Sequence, residues 1–162
     1  MTLEELLGTH VARFVDRVPD WDAFADARVE GFRRAQHRYV GVGASGKADT
    51  RAIPASHFTL SVMFVPPGQG NAAHTHEVEE VFFVLDGKLK VFFEDSAGNR
   101  VETVLGRWDC VLAPAGVIHG FENVGLEPTY LQVMLGRANP ELMSYADDGL
   151  QAHRDAHLTT PA

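Results

Sequence analysis

Alternating apolar and polar positions dominate the chain from residue 53 onwards. The side chains at 58, 60, 62 and 64 are all apolar, and those at 59 and 61 between them are Thr and Ser. This period of two is that of a β-strand. Further short strands of similar length are predicted at 81–85, 88–93, 101–105, 109–113, 119–122 and 129–135. Many short strands at even spacing are typical of a sandwich or barrel, so the sequence predicts a mainly β fold.

Turn signals separate these segments. Pro66-Pro67-Gly68 ends the first strand, and Ala97-Gly98-Asn99 predicts a later turn. Asp86-Gly87 stands between two apolar segments, where such a dipeptide suits a two-residue type I′ turn. We therefore expect a hairpin over 81–93.

The first third of the chain has a helical pattern instead. Thr2 and Glu5 have the spacing of a capping box, apolar residues continue at helical spacing to Val18, and Pro19 follows. A second helix is predicted from Trp21 to about Arg34. The glycine-rich stretch 41–47 lacks P-loop spacing and is interpreted as a loop.

These patterns divide the chain into three parts. Residues 1–52 are an N-terminal helical extension and loop, 53–137 a β-barrel, and 138–162 a C-terminal tail in which 144–157 forms a short helix or arm. The apolar faces of the N-terminal helices need a covering surface, on the barrel or on a second subunit. A homodimer is the simplest expectation.

Composition and charge narrow the function classes. The chain has 162 residues, which suggests one domain, and a net charge of −8, which argues against nucleic-acid or anionic-membrane binding. No apolar run approaches the ~20 residues that span a bilayer. Cys110 is the single cysteine, so an intrachain disulfide is impossible. The acidic amino terminus lacks the basic region of a signal peptide, and a cytoplasmic location is expected.

The most informative chemistry is His74-Thr75-His76, followed by Glu80 and by His119. Alternate strand residues share a face, so His74 and His76 can point the same way. Three imidazoles and a carboxylate suit a divalent transition metal such as Mn, Fe, Co, Ni or Zn. Glu79 could in principle replace Glu80, but it should face the opposite side of the strand.

The surrounding residues resemble two motifs of the cupin superfamily. Gly68, His74, His76, Glu80 and Gly87 match the first motif at every spacing, and Pro114, Gly116, His119 and Asn123 match the second. Where the second motif usually opens with glycine, this chain has Trp108, and Gly106 lies two residues earlier. We therefore expect a shifted turn or a bulge there.

The resemblance implies a double-stranded β-helix, or jelly roll, that holds a metal between His74, His76, Glu80 and His119. Octahedral coordination would leave two positions open, which favours a metal-dependent enzyme acting on a small molecule. A dioxygenase using Fe, Mn or Ni, with Zn or Co as other possibilities, is the leading interpretation. Decarboxylase, isomerase or lyase chemistry and non-catalytic ligand binding remain alternatives, because this fold supports several functions.

Two further residues are candidates for contact with the substrate. Gln132 is an amide within an otherwise apolar strand, and strand alternation alone allows it to face inward or outward. His57 precedes the first strand and could serve as a proton donor. The predicted pocket is mostly apolar, with no arginine or lysine in a strand position suited to anchor a carboxylate.

Overall fold

Two five-stranded sheets make up the body of the molecule. The structure is a computed structural model and describes residues 1–47 and 49–159, without the side chains of the last three. The helices and strands are α1 Leu3–Thr9, β1 Ala35–Val40, β2 Thr59–Val65, β3 His74–Thr75, β4 Glu80–Asp86, β5 Leu89–Glu94, β6 Arg100–Leu105, β7 Cys110–Ala113, β8 Ile118–Asn123, β9 Thr129–Leu135, β10 Ser144–Tyr145 and α2 Asp148–Thr159.

The strands pair antiparallel in the orders β1-β2-β9-β4-β7 and β10-β3-β8-β5-β6. This is the predicted mainly β jelly roll, and the bounds of β9 agree with the predicted segment 129–135. Alternate residues of β2, β4 and β9 are buried between the sheets. The core there includes Met63, Val65, Phe82, Val84, Phe121, Leu131 and Val133.

The predicted N-terminal helix is present but shorter than expected, and the second predicted helix does not form. The capping box of Thr2 and Glu5 is present, but α1 ends at Thr9 and carries no buried residue. The predicted second helix is replaced by turns and one 3₁₀ turn, Ala25–Arg28. Its aromatic residues pack separately, with Trp21 against Phe64 and Phe24 in the core, so no continuous helical face forms.

Strand β1 lies where the sequence predicted no strand, and it extends the first sheet N-terminal of residue 53. Its pattern has no alternation, because Ala35 to Arg38 are all buried. Gln36 and Arg38 share a register with the inward residues Met63 and Ser61 of β2. Polar residues therefore face the interior here, which hides the strand from an apolar pattern.

The Asp86-Gly87 turn joins the two sheets rather than forming a hairpin. β4 pairs with β7 and β9, and β5 pairs with β6 and β8, so the predicted hairpin over 81–93 is wrong. Gly87 has φ 97°, and a Cβ there would lie 2.4 Å from Thr129 Oγ1. The turn chemistry is present, but it directs the chain into the opposite sheet.

The chain forms a β-bulge at Trp108, where the sequence predicted a shifted turn or a bulge. It is the one non-glycine residue with positive φ in the described part of the chain, at 73°. Its amide donates to Val84 O at 2.8 Å, and Asp109 O accepts from Val84 N at 2.9 Å. The expected bulge is confirmed: Trp108 and Asp109 together oppose the single residue Val84, and the tryptophan adopts the left-handed conformation that usually favours glycine.

The C-terminal part returns to the barrel. β10 pairs with β3, placing Tyr145 opposite His74, and α2 follows. Within the described residues, no helix has the length and apolar character needed to cross a membrane.

Candidate metal centre

His74, His76, Glu80 and His119 meet at one end of the space between the sheets. His74 in β3 pairs directly with His119 in β8, and Glu80 opens β4 in the opposite sheet. Gly116 N donates to His76 O at 2.9 Å, and this hydrogen bond holds the turn before β8 next to His76. The four side chains are buried, and their candidate ligand atoms lie within 4.8 Å of one another. The predicted grouping is confirmed, and Glu79, the other carboxylate considered, is exposed.

Three imidazole nitrogens converge on a single carboxylate oxygen. Glu80 Oε2 lies 2.7 Å from His119 Nε2, 3.4 Å from His74 Nε2 and 3.3 Å from His76 Nε2. His74 Nδ1 and His119 Nδ1 lie 2.8 Å from the carbonyl oxygens of Ala72 and Val117, respectively. A carbonyl can only accept, so both Nδ1 atoms carry the proton, and neutral rings direct their Nε2 lone pairs toward Glu80.

This arrangement requires a positive charge. Imidazole lone pairs and a carboxylate oxygen repel one another at these distances unless a proton or a cation lies between them. His76 gives a second indication, because both of its ring nitrogens are buried without a hydrogen-bond partner in the described structure. A divalent metal bound through the Nε2 atoms and Glu80 would remove the repulsion and would give His76 Nε2 a partner. The residues therefore fit a divalent transition metal.

The electrostatic shifts follow from burial and from the single carboxylate. Burial alone would raise the pKa of Glu80, but the neighbouring rings of His76, His119 and His74 hold it well below its usual value. Burial lowers the pKa of His74. For His76, the Glu80 carboxylate outweighs burial, and the pKa is raised. The carboxylate is thus ionised and available as a metal ligand.

A small cavity adjoins the centre and has a more polar wall than the sequence predicted. Its volume is about 20 Å³, room for a single water-sized group. His74 and Glu80 line one side. The lining also includes the apolar Met63, Phe82 and Phe121 and the polar Arg34, Gln36 and Ser61.

Arg34 is a functional candidate that the sequence did not reveal. It is 1% exposed and pairs through NH2 with Asp26 Oδ1 at 2.9 Å. Tyr145 Oη donates to the same oxygen at 3.0 Å. Because Tyr145 lies 119 positions from Asp26, and Asp26 and Arg34 belong to no common helix or strand, no local pattern could have brought the three together. Burial and the Asp26 carboxylate raise the pKa of Tyr145, which stays a neutral donor.

The two other predicted site residues do not join this group. The sequence allowed Gln132 to face inward or outward, and in the structure it faces outward. It is half-buried on the face of β9 opposite to that of Leu131 and Val133. His57 is exposed, two residues before β2, and does not line the cavity. Two buried amides, Gln36 and Asn71, line the cavity instead, and Gln36 belongs to β1, the strand that the sequence did not predict.

Comparison with known proteins agrees with this geometry. The sequence model of the cupin domain matches residues 61–135, which carry all four candidate ligands. Residues 61–135 form a domain of the cupin superfamily. Germin-like protein 9-3 of Oryza sativa subsp. japonica is 29% identical over 98 residues, or 60% of this chain. The aligned part spans less than half of that relative, 46% of its length.

Two solved structures share the fold. The polyketide cyclase RemF of Streptomyces resistomycificus aligns with a TM-score of 0.62 at 18% identity, covering 87% of this chain and 89% of RemF. The formate complex of Lactobacillus farciminis oxalate decarboxylase aligns with a TM-score of 0.59 at 18% identity, covering 80% of this chain and 33% of the decarboxylase. At these identities the likeness concerns the fold alone. The match to the cupin domain and the His-His-Glu-His group support a site for a divalent metal.

Proposed function

We propose that this cupin is a dioxygenase that acts on a small molecule bound to the metal through oxygen atoms. The convergence of three Nε2 atoms on Glu80 Oε2 beside a small cavity carries the proposal. When bound, a redox-active divalent metal would polarise the oxygen atoms of the substrate and allow electrons to pass to dioxygen.

The chain's own residues have three roles in this proposal. The histidines and Glu80 supply a site whose charge balance favours a divalent cation. Phe82, 5.7 Å from the His119 ring and 5.1 Å from Phe121 between ring centroids, excludes water from the centre. The backbone carbonyls that accept from Nδ1 of His74 and His119 hold those rings in one tautomer.

Oxygen uptake by protein loaded with iron, manganese or nickel tests the proposal. The substrates are diketones, catechols and flavonols, which can bind a metal through oxygen. Zinc-loaded protein is the matched control, because zinc has no redox chemistry and should leave dioxygen unconsumed. Metal-dependent uptake that is absent with zinc supports the proposal. Substrate consumed equally without oxygen would replace it with decarboxylase, isomerase or lyase chemistry, and binding without turnover would indicate a non-catalytic cupin.

The proposal includes a cytoplasmic homodimer. Apolar side chains are exposed along residues 3–18, among them Leu3, Leu7 and Val15. Phe14 contacts the rings of His37 and Tyr130, so this segment lies against the outer face of the first sheet. A second copy that covers this surface would bury those apolar groups. Light scattering should give twice the chain mass, and a monomer would remove this part of the proposal.

A further inference from the structure

The cavity beside the metal centre contains a buried amide with an unused acceptor. Gln36 is 2% exposed and lines the same cavity as His74 and Glu80. Its Nε2 donates to Ser61 Oγ at 3.3 Å. Its Oε1 has no hydrogen-bond partner among the described residues. A buried oxygen without a donor is costly, which makes this atom a natural contact for a ligand that brings one.

The amide is held from two sides. Ser61 lies on the neighbouring strand β2, in the register that points inward. On the other side, a Cβ added to Gly43 would lie 2.9 Å from Gln36 Nε2, so the loop backbone packs closely against the amide. A polar group fixed in this way can discriminate between ligands, because it does not have to be ordered on binding.

The free atom is an acceptor, and this determines the class of partner. A ketone or carboxylate oxygen has no hydrogen to donate, whereas a hydroxyl or enol group has one. We propose that Gln36 selects substrates that carry a hydroxyl or enol group close to their metal-binding oxygen atoms, by accepting that hydrogen bond at Oε1. This inference rests on the proposed function in that the substrate is bound at the metal centre.

The dimensions of the space agree with this assignment. The inner cavity, about 20 Å³, admits only the polar head of a ligand. A second pocket of about 230 Å³ adjoins it and shares the lining residues Phe24, Ala44 and Met143. The body of the substrate would occupy that outer pocket. Gln36 lies outside the cupin match at 61–135, so the selectivity belongs to the N-terminal part of this chain.

Ligand binding to cobalt(II)-loaded protein tests the role of Gln36 without requiring turnover. The visible absorption of the cobalt reports binding of two ligand pairs, glycolate with acetate and 3-hydroxypropanoate with propanoate. For each pair, the ratio of dissociation constants measures the preference for the hydroxyl. In Gln36→Met we expect this ratio to fall about tenfold from the wild-type value, since ~1.4 kcal/mol of hydrogen bonding corresponds to that factor. Gln132→Met, which changes an outward-facing glutamine of the same sheet, should keep the wild-type ratio.

An unchanged ratio in Gln36→Met at full cobalt content would overturn the proposal, as would a wild-type protein with no hydroxyl preference in either pair. Should the methionine variant fail to fold, Gln36→Asn keeps an amide but withdraws it by one methylene. The same fall is expected there, and an unchanged ratio would again refute the proposal. Oxygen uptake is measured separately. If the ratio falls but no oxygen is consumed, the role of Gln36 is supported and the dioxygenase proposal is refuted. If oxygen is consumed but the ratio is unchanged, the dioxygenase proposal is supported and the role of Gln36 is refuted.

Discussion

The carboxylate of Asp26 accepts a hydrogen bond from the backbone amide of Ala72 at a distance of 2.9 Å. The carbonyl of Ala72 in turn accepts from Nδ1 of His74 at 2.8 Å. Asp26 also binds Arg34 and Tyr145, and all three side chains are buried. A buried ion pair outside the cupin match is therefore linked through the backbone of one residue, Ala72, to a candidate metal ligand. We expect this network to orient His74.

Tyr145→Phe tests that link without leaving the Arg34 guanidinium unpaired. The variant removes the hydroxyl that donates to Asp26 Oδ1, which should cost about 1–2 kcal/mol of unfolding free energy. Metal affinity should fall about tenfold, because outer hydrogen-bond partners of metal-bound histidines typically contribute 10–100-fold. Competition with a chromophoric chelator measures the affinity. Tyr130→Phe, on the outer face of β9, is the matched control, and equal affinities in both variants would contradict a positioning role for the network.

His76→Ala should abolish stoichiometric metal binding and leave the protein folded. Neither ring nitrogen of His76 has a hydrogen-bond partner in the described structure, so the substitution breaks no hydrogen bond of the fold. Removing it takes one of four ligands from the site. Elemental analysis after reconstitution measures the content, with the exposed His153→Ala as control. Added metal should raise the Tm of wild type by mass action but not that of His76→Ala. Equal metal occupancy in both proteins would remove His76 from the ligand set.

The sequence was sufficient for His74, His76 and Glu80 because their signals are local, whereas the distant His119 joined them only through the resemblance to the second cupin motif. His74 and His76 follow strand alternation, and the motif spacing set Glu80 apart from the exposed Glu79. The strand at 129–135 was predictable because its buried and half-buried residues alternate without exception. Each of these features depends on neighbours within a few positions.

The features that the sequence did not predict, strand β1 and the polar lining of the cavity, depend on contacts between residues distant in the chain. Strand β1 has polar side chains facing inward, and their partners are remote: Arg38 pairs with Asp20, and Gln36 contacts Ser61. An apolar pattern cannot find such a strand, and so the polar wall of the cavity was missed with it. The turn at Asp86 was recognised, but turn chemistry does not say which sheet the next strand joins.

The stability of the wild type should fall below about pH 6.5 partly because of His37. Burial lowers the pKa of His37 from 6.5, and the Val62 carbonyl only partly opposes this. The unfolded chain therefore binds a proton at a higher pH than the folded protein does. Stability from the neutral ring is complete above the unfolded pKa and is lost as the pH falls toward the folded pKa.

His37→Gln should remove this component of the pH dependence. Urea unfolding at about pH 7.5 and about pH 5.5 gives the loss of free energy for each protein, and the loss should be smaller in His37→Gln than in wild type. All other titratable groups are the same in the two proteins, so the comparison isolates His37. His153→Gln, an exposed histidine, should keep the wild-type loss. An equal loss in His37→Gln would mean that His37 has the same pKa folded and unfolded.

Trp108 should carry backbone strain that a glycine at the same position relieves. At φ 73° a residue with a Cβ costs about 1–2 kcal/mol relative to glycine. The indole is 62% exposed and contacts Arg107 and Phe83, so its removal has a cost of its own. Trp108→Gly and Trp108→Ala both lose these contacts, but only the glycine variant loses the strain. We expect Trp108→Gly to be more stable than Trp108→Ala by about 1 kcal/mol in urea unfolding. If the alanine variant is equally stable, the turn at 108 must be able to leave the left-handed region, and the hydrogen bond from its amide to Val84 would then be dispensable.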